Sequence, residues 1–137
     1  MNSGIKPTAE CKEIHNDVNE NRLRYATFKI ENNEIVVDKT GDPNKSYADF
    51  LSALKQSEDC RYGLVEYTYR KDGADRSKNL LVQWIPDTAS ASNKMIYKAS
   101  FDGLKKEFDQ VQKSIEPEDA SDLEQEAVTS LLIRTLR

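Results

Sequence analysis

The sequence predicts a mixed α/β fold, in which a central mixed sheet of five to six strands is covered by helices on both faces. Two pairs of β-forming runs are each joined by a short polar connection, and helical patterns fall before, between and after them. No repeat, low-complexity segment or linker interrupts this order. A chain of 137 residues suits one domain over 1–137, a size at which roughly two-thirds of the unfolded surface is buried on folding.

Residues 1–7 read as a flexible N-terminal segment. Thr8 follows Pro7 as a candidate N-cap, and up to Asn19 the residues Cys11, Ile14 and Val18 recur at spacings of three and four, one face of a short helix. Residues 23–31 alternate in the strand manner, and Asn32-Asn33 leads into a second run over 34–38, which makes a hairpin. Turn formers collect over 40–45. Ser46 with Asp49 three residues later then forms a capping-box pattern ahead of Phe50, Leu51 and Leu54. Residues 61–70 and 80–85 are rich in β-formers, and the polar, glycine-containing stretch 71–76 reads as the exposed tip of a second hairpin. Ser90 or Ser92 caps a helix running to about Val111. Residues 114–117 form a short edge strand, and Ser121 with Glu124 suggests another capping box before a final helix.

A net charge of −4 and a pI near 5.1 argue against nucleic acid as partner, which usually meets a basic surface. Hydrophobic residues at 37% and charged residues at 32% fit a compact chain with a dense surface charge. Cys11 and Cys60 are far apart and lack metal-ligand spacing, so reduced thiols in the cytoplasm are expected. No signal-like segment and no run of membrane-spanning length is visible.

The stretch Trp84-Ile-Pro-Asp-Thr-Ala-Ser-Ala-Ser-Asn-Lys-Met-Ile-Tyr97 joins an apolar strand to a lysine-bearing helix through a Pro-Asp turn. With Ser3-Gly4-Ile5, Arg24-Tyr25, Phe28-Lys29, Ile35-Val36-Val37, Asp59-Cys60-Arg61-Tyr62, Arg76-Ser77-Lys78 and Glu118-Asp119-Ala120-Ser121 in the same order, it resembles the actin-depolymerising factor/cofilin family over essentially the whole chain. The resemblance implies an ADF-homology fold and a binding protein of the cytoplasm and cytoskeleton. Such a protein engages actin monomers and filaments, prefers the ADP-bound form, and severs and depolymerises filaments. It implies monomer contacts at Ser3, Gly4, Ile5, Lys94, Met95, Lys98, Phe101, Asp102, Lys105 and Lys106. Filament contacts are implied at Arg76, Lys78 and Arg134, a regulatory phosphorylation position at Ser3, and competition by phosphoinositides for the helix lysines. A glia maturation factor-like or coactosin-like branch of the same fold is the alternative, and a monomeric state is expected.

At about 100° per residue, Lys94, Lys98, Phe101, Asp102, Lys105 and Asp109 project to one side of the helix, and Ile96, Ala99, Gly103, Leu104, Phe108 and Val111 to the other. The charged side reads either as a solvated face or as a contact surface. An aromatic residue among charges favours the contact, because aromatics are enriched as interface anchors. Three departures from the family pattern stand out: Ser92 where Arg or Lys is common, Phe101 where Lys is usual, and Ser130-Leu131 where a Glu-Arg pair is found. They imply a helix surface that is less positive and more apolar, and weaker binding on the filament side. Gly103, commonly Ala in the family, reads as a bend or as close packing against the sheet.

No nucleophile elbow, phosphate loop or HExxH pattern is present, so neither an enzyme nor a cofactor is expected. The acids Glu116, Glu118, Asp119, Asp122, Glu124 and Glu126 lack EF-hand spacing and read as complements to a helix dipole rather than a metal site. His15, the one histidine, is expected at the surface or its boundary.

Overall fold

The computed structural model describes residues 4–135, with side chains over 4–134. Six strands form one sheet in the order β1-β3-β2-β4-β5-β6. These are β1 (Lys6–Pro7), β2 (Tyr25–Glu31), β3 (Glu34–Gly41), β4 (Arg61–Lys71), β5 (Ala74–Trp84) and β6 (Lys113–Ile115). The helices are α1 (Ala9–Asn19), α2 (Tyr47–Lys55), α3 (Ala91–Glu107) and α4 (Gln125–Thr135), with a 3-10 turn over Ala120–Leu123. The edge strands β1 and β6 pair in parallel and the four inner strands antiparallel, so the sheet is mixed as expected.

Local chemistry accounts for most boundaries. The Asn32-Asn33 turn has φ of 54° and 63°, the left-handed values a two-residue hairpin turn requires and asparagine tolerates. In the second hairpin the connection is shorter than expected. Asp72 and Gly73 alone turn the chain, and pairing continues to Lys71 opposite Ala74, so most of 71–76 is strand rather than loop. The Ser46–Asp49 capping box is present in full. Before α4, however, the box is made by Asp119 and Asp122 around the 3-10 turn and not by Ser121 and Glu124. Asp119, one turn earlier, takes the Ser121 N–H at 2.9 Å.

Strand β1 lies where a flexible terminus is expected. Its two residues pair with Glu34 and Ile35, and the Thr8 N–H continues the ladder to the Ile35 carbonyl at 3.0 Å. Such a strand has no local sequence signal, because its partner lies 28 residues away.

Alternation along the inner strands divides the core in two. One cluster lies beneath α1 and α3 and joins Cys11, Val18, Phe28, Tyr62, Leu64, Leu81, Tyr97, Phe101, Leu104 and Phe108. The other lies beneath α2 and α4 and joins Phe50, Leu54, Val65, Tyr67, Leu80, Val82, Leu123, Val128 and Leu132. Cys11 and Cys60 are both buried thiols. The Cys11 thiol donates to the Ile35 carbonyl at 3.2 Å, and burial pushes both thiols up from their ordinary range.

His15 is not at the surface. It is 3% exposed, stacks on Phe108 with ring centroids 4.7 Å apart, and its Nε2 accepts the Gln110 N–H at 3.2 Å. Burial lowers its pKa, against a smaller opposing pull from Asp109. A histidine favoured as the neutral form in the fold adds stability that is complete above its unfolded pKa of about 6.5 and is lost as pH falls below it. Urea midpoints between pH 7.5 and 5 are therefore expected to fall for the natural chain. His15→Gln should flatten that fall, and an unchanged slope would exclude His15 as its source.

Candidate protein-binding surface on helix α3

The start of α3 is held from several sides. The Ser90 hydroxyl caps it by accepting the Asn93 N–H at 3.1 Å, Asn93 Nδ2 donates to both Asp59 oxygens at 3.1 and 3.3 Å, and the Thr88 hydroxyl donates to the Glu58 carbonyl at 2.7 Å. Further along, the Tyr62 hydroxyl donates to the Tyr97 carbonyl at 2.7 Å, and the Tyr97 hydroxyl accepts the Ile30 N–H at 2.9 Å. Lys12 of α1 pairs with Glu107 at 2.6 Å. A helix fixed this firmly presents a rigid outer face, which lowers the ordering cost of binding.

The face it presents differs from the projected one. Tyr97, Phe101, Leu104 and Phe108 make the buried stripe, and Ser100 beside them donates to the Ile96 carbonyl at 2.8 Å. Phe101 is 2% exposed and stacks on Tyr62 with centroids 5.8 Å apart. It is a core residue, which corrects its expected place on the exposed face and the apolar surface expected of it. The helix carries two apolar stripes, and the aromatic one wins because its rings bury the most area. Gly103 faces solvent with open space where a Cβ would stand, so close packing against the sheet does not account for it.

The outward strip runs through Met95, Lys98, Asp102 and Lys106. Met95 at 72% is the most exposed large hydrophobic residue among those described, and Lys98 and Lys106 have no ion-pair partner among the described residues. Lys94 and Lys105 are half-buried at the flank. Lys105 Nζ lies 4.9 Å from the Phe101 ring centroid and pairs with Asp102 at 3.1 Å, which lowers the Asp102 pKa. Ile5 is buried and lines, with Lys6, Ala99, Asp102, Gly103, Lys106 and Glu107, a groove of about 330 Å³ between β1 and α3. Lys6 is a groove residue the sequence reading missed, because it depends on β1. Gly4 is exposed just ahead of Ile5, and Ser3 lies outside the described residues.

On β5, Arg76 stands opposite Tyr69 and Lys78 opposite Tyr67, so both are strand residues in the projecting half of the hairpin. Neither has an ion-pair partner among the described residues. Arg70, by contrast, is tied to Asp75 and to the Gly73 carbonyl within the hairpin. The Tyr67 hydroxyl reaches the Gln125 carbonyl at 3.0 Å and the Thr129 hydroxyl at 2.6 Å, which ties the hairpin base to α4. Arg134 is exposed in the last turn of α4. It belongs to the layer that packs across the sheet from α3.

The outward face of α3 thus combines one exposed thioether with lysines that have no ion-pair partner among the described residues. The family model described as cofilin/tropomyosin-type actin-binding protein matches residues 4–132. The chain belongs to that family. Among curated relatives, actophorin of Acanthamoeba castellanii is 35% identical over 130 residues, covering 93% of this chain and 94% of that protein. Actin-depolymerizing factor 2 of Zea mays is 34% identical over 132 residues, covering 93% and 94%. The cofilin of Streptomyces griseoflavus superposes with a TM-score of 0.86 at 28% identity, over 96% of this chain and 98% of that one. Human coactosin-like protein, at 22% identity, a TM-score of 0.79 and coverage of 96% and 99%, shares the fold. Family membership accounts for the Trp84–Tyr97 stretch that joins β5 to α3. No helix among the described residues is long and apolar enough to cross a membrane.

Proposed function

We propose that this chain binds actin monomers and filaments, prefers the ADP-bound form, and severs and depolymerises filaments without chemistry of its own. The observation that carries the reading is the outward strip of α3, where the apolar area of Met95 is followed along one face by the unpaired charges of Lys98 and Lys106. Met95 supplies burial, and the lysines set register and encounter rate against an acidic partner surface. A ligand shifts a polymer only by its differential affinity for two states. Filament loss therefore requires tighter binding to one filament geometry, with Arg76, Lys78 and Arg134 as the filament-side contacts.

The filament side is the weaker of the two. Ser130 places no charge on α4, and Leu131 is half-buried against the core, which leaves Arg134 as the base there. Ser3, outside the described residues, is a phosphorylation position in this reading, since about two added negative charges repel an acidic partner. Phosphoinositide head groups compete for Lys98 and Lys106. The protein acts as a monomer in the cytoplasm and on the cytoskeleton.

Titration of labelled ADP-actin monomers tests the assignment of the strip. Met95→Ala and Lys98→Ala are each expected to weaken binding about tenfold, the loss typical of a truncated anchor. Affinities within twofold of the natural chain for both variants would remove the strip from the contact.

A further inference from the structure

Gly103 lies in the interior of a 17-residue helix, where glycine is unfavourable relative to alanine. Neither usual reason for keeping it applies. Its backbone is helical rather than left-handed, and nothing stands within 4 Å of the position a Cβ would take, so the fold itself would accept a side chain. What the missing side chain does leave is depth in the groove between β1 and α3, which Gly103 lines.

The charges around this notch are unevenly committed. Asp102 pairs with Lys105 at 3.1 Å and Glu107 with Lys12 at 2.6 Å, so each acid of the groove already has a lysine partner. Lys6 and Lys106, on its two sides, have no ion-pair partner among the described residues. The groove therefore offers two lysines outside any close ion pair beside a floor that lacks a side chain, although each also lies in the field of a groove acid, Lys6 of Glu107 and Lys106 of Asp102.

We propose that Gly103 is a specificity-determining residue of the monomer contact, and that its notch receives the stem of an acidic side chain of actin whose carboxylate meets Lys6 and Lys106. This rests on the α3 strip being the actin-binding surface. The notch gives shape selection and the lysines give charge selection, and an aliphatic stem ending in a carboxylate satisfies both.

Melting curves and ADP-actin monomer titrations on Gly103→Ala, Gly103→Leu and Lys106→Glu, beside the natural chain, test the proposal. Gly103→Ala is expected to raise the thermal midpoint and yet weaken binding about threefold, Gly103→Leu to weaken it about tenfold by filling the notch, and Lys106→Glu by more than tenfold. A gain in stability coupled to a loss of affinity separates an occupied notch from a helix defect. If the natural chain binds and Met95→Ala weakens it, but Gly103→Leu stays within twofold, the notch is empty in the complex and the proposal fails alone. If the natural chain does not bind actin monomers, both readings fall.

Discussion

Phe101→Ala is expected to lower the unfolding free energy by about 3–5 kcal/mol, the usual cost of removing a buried aromatic ring and leaving a cavity. The ring is 2% exposed, lies 5.8 Å from the Tyr62 ring in a near-parallel stack, and has the Lys105 ammonium 4.9 Å from its centroid. Phe28 and Leu64 of the strands and Leu104 of α3, in the same cluster, are fully buried, so a close-packed surround limits collapse into the space. A domain of this size has a total stability of about 5–15 kcal/mol, and the variant would sit near the margin. Equilibrium urea unfolding gives the magnitude. Actin affinity, measured where the variant is still folded, should fall less than for Met95→Ala. A variant with the natural unfolding midpoint and lost actin binding would return Phe101 to the contact surface.

Gly63→Ala is expected to destabilise by about 1–3 kcal/mol, the range for an overpacked core, although alanine is ordinarily the better strand residue. A Cβ there would stand 2.6 Å from Phe50 Cζ and 2.9 Å from Leu54 Cδ1, and both neighbours are fully buried. Helix α2 lies across the sheet at this point because Gly63 lets it approach. Thermal denaturation beside Gly103→Ala gives opposite signs for the same substitution in one chain, and a rise in midpoint for Gly63→Ala would contradict the close approach of α2.

Features with a local cause were legible in the sequence. The Ser46–Asp49 box, the Thr8 cap, the α3 cap narrowed to Ser90 or Ser92, and the asparagine turn at 32–33 all follow from short-range hydrogen bonding and backbone preference. What depends on distant partners was not. Strand β1 exists because Ile35 lies beside it, and Lys6 enters the groove only through β1. The outward face of α3 was misjudged because Ile96, Ala99 and Gly103 make one plausible apolar stripe and Tyr97, Phe101 and Leu104 another, and only the sheet beneath decides between them. Sequence order placed Met95, Lys98 and Lys106 in a helix, and they lie in α3. His15 was misjudged for a similar reason, since its stacking partner Phe108 arrives from a helix far along the chain.

The division of the core into two clusters sets how the two surfaces communicate. Strands β4 and β5 send alternate side chains to opposite sides, so the α1/α3 layer and the α2/α4 layer share one hydrogen-bonded sheet, and the Asn93–Asp59 and Thr88–Glu58 bonds tie the start of α3 to the loop after α2. Sheets of this kind do not slide by small steps, and a perturbation on one side has no soft path to the other. The two surfaces should therefore behave as independent sites joined by a stiff spacer. Their free energies add when both are engaged at once, so one partner spanning both is held far more tightly than either site alone would hold it.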